Sequence, residues 1–236
     1  MKLKPLAVLA ALLITSTASY AEKIPPALFE TFAGTKKISE AKYTLKKTKT
    51  GIEIRSDITY PTDSQGQVTN AYHVGNDGIL DDAALRASAD KSLIMYTPSK
   101  TNDVITVDVL KNNQSVGGRK VPLQSPGDLV IAFTDDPSAF EVLIRNLEAH
   151  PHTNSIYTLY VPMKGDKTDR FEPYQLMKKD EARGKLEDKE IELVHYTLRF
   201  NAGTSDIYTD KDGNLMQASI APLRVRHNRK GFELVK

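Results

Sequence analysis

The sequence contains no cysteine. That excludes a disulfide framework, a thiol nucleophile and a thiolate metal site. Charge of one sign is also lacking, since 32 basic residues stand against 30 acidic ones. A nucleic-acid or acidic-membrane partner calls for a basic surface, so neither is indicated. Beyond the N-terminal region no long apolar run occurs, and no transmembrane segment is expected there. Glycine-rich phosphate loops, G-x-S-x-G elbows and H-E-x-x-H helices are missing as well, so no cofactor is implied. What remains is an ordinary globular composition, 40% apolar and 26% charged, with the length of one self-sufficient domain.

The chain begins MKLKPLAVLAALLITSTASYAEK. Lys2 and Lys4 give a positive start, and residues 6–14 form an apolar run too short for a membrane span. Ser19 and Ala21 place small residues where a signal peptidase reads. The pattern predicts a signal peptide over residues 1–21, cut after Ala21, and a single β-rich domain over residues 22–236. No Cys follows the apolar run, so lipid attachment of the bacterial lipoprotein kind is excluded. Loss of Lys2 and Lys4 leaves 30 basic against 30 acidic residues. The expected location is a bacterial periplasm.

Period-2 alternation is the strongest signal in the rest of the chain. In GIEIRSDITYP, Ile52, Ile54, Ile58 and Tyr60 share one face, while Glu53, Arg55, Asp57 and Thr59 share the other. A strand with one buried and one wet face reads this way. In ELVHYTLRF, Val194, Tyr196, Leu198 and Phe200 oppose His195, Thr197 and Arg199. Shorter versions occur around Tyr43 and Leu45, at Ile105, Val107 and Val109, and at Phe232 and Leu234. SIYTLYVPM is apolar on both faces and reads as a more central strand.

Three stretches between these runs, DSQGQV, DKDGNL and NRKGFE, share Asp/Asn-x-x-Gly followed by a strand. Asp or Asn at the first position bonds its own backbone, and Gly at the fourth accepts positive φ. This is the chemistry of a hairpin turn with a glycine bulge. Asp210, Asp212 and Asn214 also alternate like the start of a calcium loop. Such a loop needs Gly at its sixth position and an acid at its twelfth, where this chain has Leu215 and Ala221. The hairpin turn is therefore preferred.

One long helix is predicted in DDPSAFEVLIRNLEAHP, with Asp136 as N-cap and Pro137 at the first helical position. Phe140, Leu143, Ile144 and Leu147 recur at i, i+3, i+4 and i+7, and Glu141 and Arg145 are placed as an outward pair. Pro151 sets the stop. A shorter helix is expected in PPALFETFAG, burying Leu28, Phe29 and Phe32. DDAALRASADK is a short helix or a loop, and KKDEARGKLEDKE is a charged, solvated connection. The fold class is thus mainly β, with short hairpins implying an antiparallel sheet. Its apolar face needs cover, from a second sheet or from the helix with the sheet curled around it. The breadth of the helix's apolar stripe favours a half-barrel around the helix.

Candidate chemistry is thin. Ser88 and Lys91 match S-x-x-K, and Lys49–Gly51 reads KTG, but the order is reversed and no S-D-N intervenes. His150 and His152 flank Pro151, where histidines also suit a helix exit. His73, His195 and His227 lie singly on strands. Arg224 and Arg226 alternate onto one strand face, either to grip an anionic group or to guard an edge with charge.

The hairpins of the YTLKKTKTGIEIRSDITY kind, the turn YTDKDGNLMQASI and the closing strand GFELVK give a layout that resembles a group of exported bacterial proteins of a domain-of-unknown-function family. That group is similar in architecture to the LolA/LolB-like superfamily, in which a curved antiparallel sheet folds around helices. The resemblance implies carriage of lipoproteins or other apolar cargo. Tryptophan, expected in a cavity dedicated to lipid, is absent. The expected function is accordingly a periplasmic, non-enzymatic protein that binds or carries an apolar ligand such as a lipid or acyl chain. Tyr43, Ile52, Ile54, Ile58, Tyr60, Tyr196, Leu198 and Phe200 are the expected lining, although the same residues would equally pack on the helix. The alternatives are a cell-envelope assembly factor, using a sheet edge or residues 178–190, and an enzyme using His150, His152 or His195.

Overall fold

A computed structural model describes residues 23–61, 66–87, 92–99, 104–112, 114–122, 129–132, 136–149, 156–159, 171–200, 203–221 and 224–235. The expected signal peptide, the S-x-x-K stretch, and His150, Pro151 and His152 lie outside these residues.

The chain is mainly β. The strands are β1 (Lys23–Ala33), β2 (Lys36–Lys47), β3 (Gly51–Thr59), β4 (Gln67–Gly75), β5 (Leu80–Ala87), β6 (Ser92–Ser99), β7 (Val104–Lys111), β8 (Gln114–Pro122) and β9 (Leu129–Ala132). Helix α1 (Ser138–Ala149) follows, then β10 (Ile156–Leu159), β11 (Phe171–Leu186), β12 (Lys189–Phe200), β13 (Gly203–Asp210), β14 (Leu215–Ile220), β15 (Val225–Arg229) and β16 (Phe232–Val235). They form one large sheet that does not close into a barrel, ordered β8-β7-β6-β5-β4-β3-β2-β1-β15-β14-β13-β12-β11-β10-β9. Strand β16 pairs with residues 183–186 of β11, at the opposite end of that strand from the stretch, 171–174, that β10 occupies.

Every pairing is antiparallel except β9 with β10. Parallel neighbours need a crossover, and here α1 supplies it. The helix packs mainly on β3, β4, β9 and β14. The apolar cluster around it joins residues of β1 to β5 and of β11 to β14 to Phe140, Val142, Leu143 and Ile144. A second, smaller cluster of Leu193, Met216 and Phe232, flanked by Leu186 and Ile191, gathers where β16 meets the β11–β12 hairpin.

Four local expectations are corrected. Residues 26–33 are strand, not helix: Ala27, Phe29 and Thr31 turn inward and Leu28 outward. The buried Thr31 hides that period-2 pattern, while Pro25 and Pro26 fall in a break of the β1–β2 register, where no ladder donor is required. Residues 81–87 form β5, since pairing with β4 and β6 overrides the helix propensity of their alanines. The charged segment 178–190 is a long hairpin, its two-residue turn formed by Glu187 and Asp188 at φ 50° and 66°.

The helix is the fourth correction. It spans 12 residues and is buried over most of its circumference rather than amphipathic with a wet face. Glu141 and Arg145 do pair, but inward, with side-chain exposures of 0% and 18%. The N-terminal signals are observed in place: Asp136 Oδ1 accepts from the Ser138 N–H at 2.9 Å.

Candidate functional site

Of the eight residues expected to line an apolar space, Tyr43, Ile54, Ile58, Tyr60, Tyr196 and Leu198 are buried in the main cluster, with Ile52 partly buried against it. The side chain of Phe200 is outside the description. Alternation along β2, β3 and β12 brings these side chains to the face on which α1 rests. Helical side chains, including Phe140 and Leu143, occupy the space above them.

Polar groups enter this interior with the helix. Asp136 accepts from the Ser138 hydroxyl at 2.6 Å and from Tyr72 OH at 2.9 Å. Burial raises its pKa, and those donors pull the other way. Glu141 Oε2 accepts from the Leu215 N–H at 3.0 Å, and Oε1 accepts from Arg145. Burial raises Glu141 as well, offset by the Arg145 charge. Glu148 accepts from Tyr196 OH at 2.9 Å. These carboxylates are spent on a helix cap, a strand N–H and a buried phenol, which ties α1 to the sheet.

Among the described residues the histidines do not converge. His73 pairs with Asp81 at 3.1 Å. His195 contacts Asp206 at 2.8 Å and stacks on Tyr208, with ring centroids 4.6 Å apart. His227 is buried beneath Phe140 and bonded through Nδ1 to Thr31 Oγ1 at 2.9 Å. The arginine pair of β15 is not a pair: Arg224 sits in a left-handed turn before the strand, and Arg226 lies over the Phe32 ring at 5.2 Å. Nor is β15 an edge, for it pairs with both β1 and β14.

The Asp210 loop is a turn. Its carboxylate accepts from the N–H groups of Asp212 and Asn214 and from Asn214 Nδ2, at 3.0, 2.8 and 2.8 Å. Gly213, at φ 80°, reverses the chain. Three N–H donors aimed at one carboxylate leave it committed to the turn.

Sequence reasoning missed one feature. A partly open cleft of about 180 Å³ lies between the two apolar clusters. Ala27, Tyr43, Leu45 and Leu215 of the main cluster form one wall; Leu186, Ile191 and Met216 of the smaller form the other. Asp210, Asn214 and Arg229 stand with them. Of the expected lining residues whose side chains are described, only Tyr43 reaches this cleft. The other walls come from strands far apart in sequence, so no local pattern announced them.

No family model matches this chain, and neither a curated protein nor a solved structure shows significant similarity to it. Fold and site together define a class only: a mainly β protein with one buried helix and an apolar cleft beside its core.

Proposed function

We propose that this chain is an exported, non-enzymatic periplasmic protein that binds or carries an apolar ligand such as a lipid or acyl chain. In this reading the sheet curves as a half-barrel around α1. The supporting observation is the partly open cleft with largely apolar walls between the two clusters. Ligand sites are typically concave and apolar with a few placed polar groups, which describes this cleft. The pattern-level likeness to LolA/LolB-like carriers points the same way. The cleft has the scale of an engineered apolar cavity of about 150 Å³ that takes up benzene. It suits a short alkyl segment.

The test is native mass spectrometry of the chain expressed in a Gram-negative host and purified from the periplasm without detergent. The expected spectrum shows a polypeptide beginning at Glu22 with a co-purified apolar adduct. Bare polypeptide alone, from preparations with and without added lipid, sinks the carrier reading.

A second reading, an envelope assembly factor, draws on β8. This strand ends the described sheet with one backbone edge unpaired, and its Val116 is 62% exposed. A stable protein partner that protects β8 from proteolysis, recovered without lipid, would favour it.

A further inference from the structure

We propose that the cleft between the two clusters takes a medium-chain fatty-acid carboxylate, held by Arg229 at its head and by the apolar walls along its tail. This deepens the apolar-ligand reading and rests on it. Arg229 is the last residue of β15, and its partly buried side chain lines the cleft. Its Nη1 lies 3.9 Å from Met216 Sδ, a weak acceptor for a group with five N–H donors. Several other basic side chains have carboxylate partners. Lys37 meets Glu30 and Glu40, Lys46 meets Glu53, Arg55 meets Asp57, Arg145 meets Glu141 and Lys211 meets Glu192. Among the described residues no carboxylate forms an ion pair with Arg229. A guanidinium beside an apolar wall with its donors unspent favours a planar anion, which it can bind through two parallel N–H···O bonds.

Asp210 also lines the cleft and carries the opposite charge. Its oxygens accept the three N–H groups of its own turn, so its lone pairs are largely used. The group with hydrogen-bonding capacity to offer is the cation. Tyr43, Leu45 and Leu215 then provide apolar contact for a tail, and the volume of about 180 Å³ limits how much alkyl chain is enclosed.

The experiment is isothermal titration of the full chain with octanoate, octanol and octylamine, repeated on Arg229→Gln and Arg229→Lys. Octanoate is expected to bind tightest. Arg229→Gln should weaken octanoate about tenfold while leaving octanol unchanged, and Arg229→Lys should recover part of the loss. Octanol binding as tightly as octanoate, or an octanoate affinity indifferent to Arg229→Gln, overturns the head-group assignment and leaves the apolar reading standing. Octylamine binding tightest overturns it in favour of Asp210. No binding by any of the three removes both the assignment and the cleft as a ligand site. If a variant fails to fold, the ranking of the three ligands on the unaltered chain still decides.

Discussion

His227 sits in an environment far from that of an imidazole in water. Nothing solvates it: β15 turns it inward, Thr31 bonds one ring nitrogen, and Phe140 lies at 5.6 Å across the ring. Burial holds its pKa down at about 3. The unfolded chain binds a proton on this ring below about pH 6.5, and the folded chain refuses it. Its contribution to stability is therefore complete above that pH and is lost as pH falls towards about 3. Over the two units from pH 6.5 to 4.5 the loss is about 2 kcal/mol, because the unfolded ring is already half protonated at the upper end. Asp136 and Glu141 act in the opposite sense, because burial raises their pKa values and favours their protonated forms as pH falls. The histidine is isolated by subtraction. His227→Asn keeps a group able to bond Thr31 but cannot titrate. Urea unfolding of both proteins should show the unaltered chain losing about 2 kcal/mol relative to the variant between pH 6.5 and 4.5. A difference that stays flat across that range means the ring is not held neutral inside the fold.

Between elements, the contact of α1 with the β4–β5 turn is specified by one glycine. Gly78 sits at φ 75°, and a Cβ there would lie 2.3 Å from Ala149 Cβ and 3.0 Å from the Arg145 carbonyl oxygen. Asn146 Nδ2 donates to the Gly78 carbonyl from the same side. Gly213 is the control: its φ is 80°, but the nearest atom to an added Cβ is Glu148 Oε2 at 3.7 Å. Gly213→Ala should cost only the left-handed conformation, about 1 kcal/mol. Gly78→Ala adds overpacking and should cost about 2–4 kcal/mol. Adding Ala149→Gly should restore about 1 kcal/mol or more to Gly78→Ala and nothing to Gly213→Ala, as read by chemical denaturation. Equal costs for the two glycines would show that the turn does not dock on the helix. Sequence made the turn at Gly213 legible, because Asp210-x-x-Gly is a local rule. It made α1 legible through Asp136 and Pro137, and β3 and β12 through alternation. It hid β1 behind Thr31, and hid the inward Glu141–Arg145 pair because helical spacing cannot tell a buried ion pair from a wet one. The cleft was hidden for a further reason: Ala27, Leu186 and Met216 meet only because β16 and the β11–β12 hairpin fold against the rest of the sheet.

Across the whole molecule, stability should grade along the sheet. Strand β3 has hydrogen-bonded partners on both sides and lies under α1, and β13 has partners on both sides and contributes Ile207 to the same cluster. Leu80 and Ala83 of β5 belong to the main cluster, and the described side chains of β8 are exposed. Strand β8 lies at the end of the first meander, three strands beyond β5, and among the described residues pairs only with β7. Opening β8 breaks one described ladder and releases side chains that are already exposed, whereas opening β3 breaks two ladders and strips the floor from the helix. Local openings span the range from near zero to the global unfolding free energy, and the least-covered elements take the low end. Amide hydrogen exchange followed by mass spectrometry should therefore show peptides from β3 and β13 protected about a thousandfold more than peptides from β8, with β5 to β7 in between. The helix should exchange with β3 and not with β8, because its carboxylates, its cap and its apolar side chains are all engaged with the central strands. Protection that is uniform from β3 to β8 would mean that the distal meander is buried by something other than α1, and the molecule would then have to be treated as a single cooperative layer.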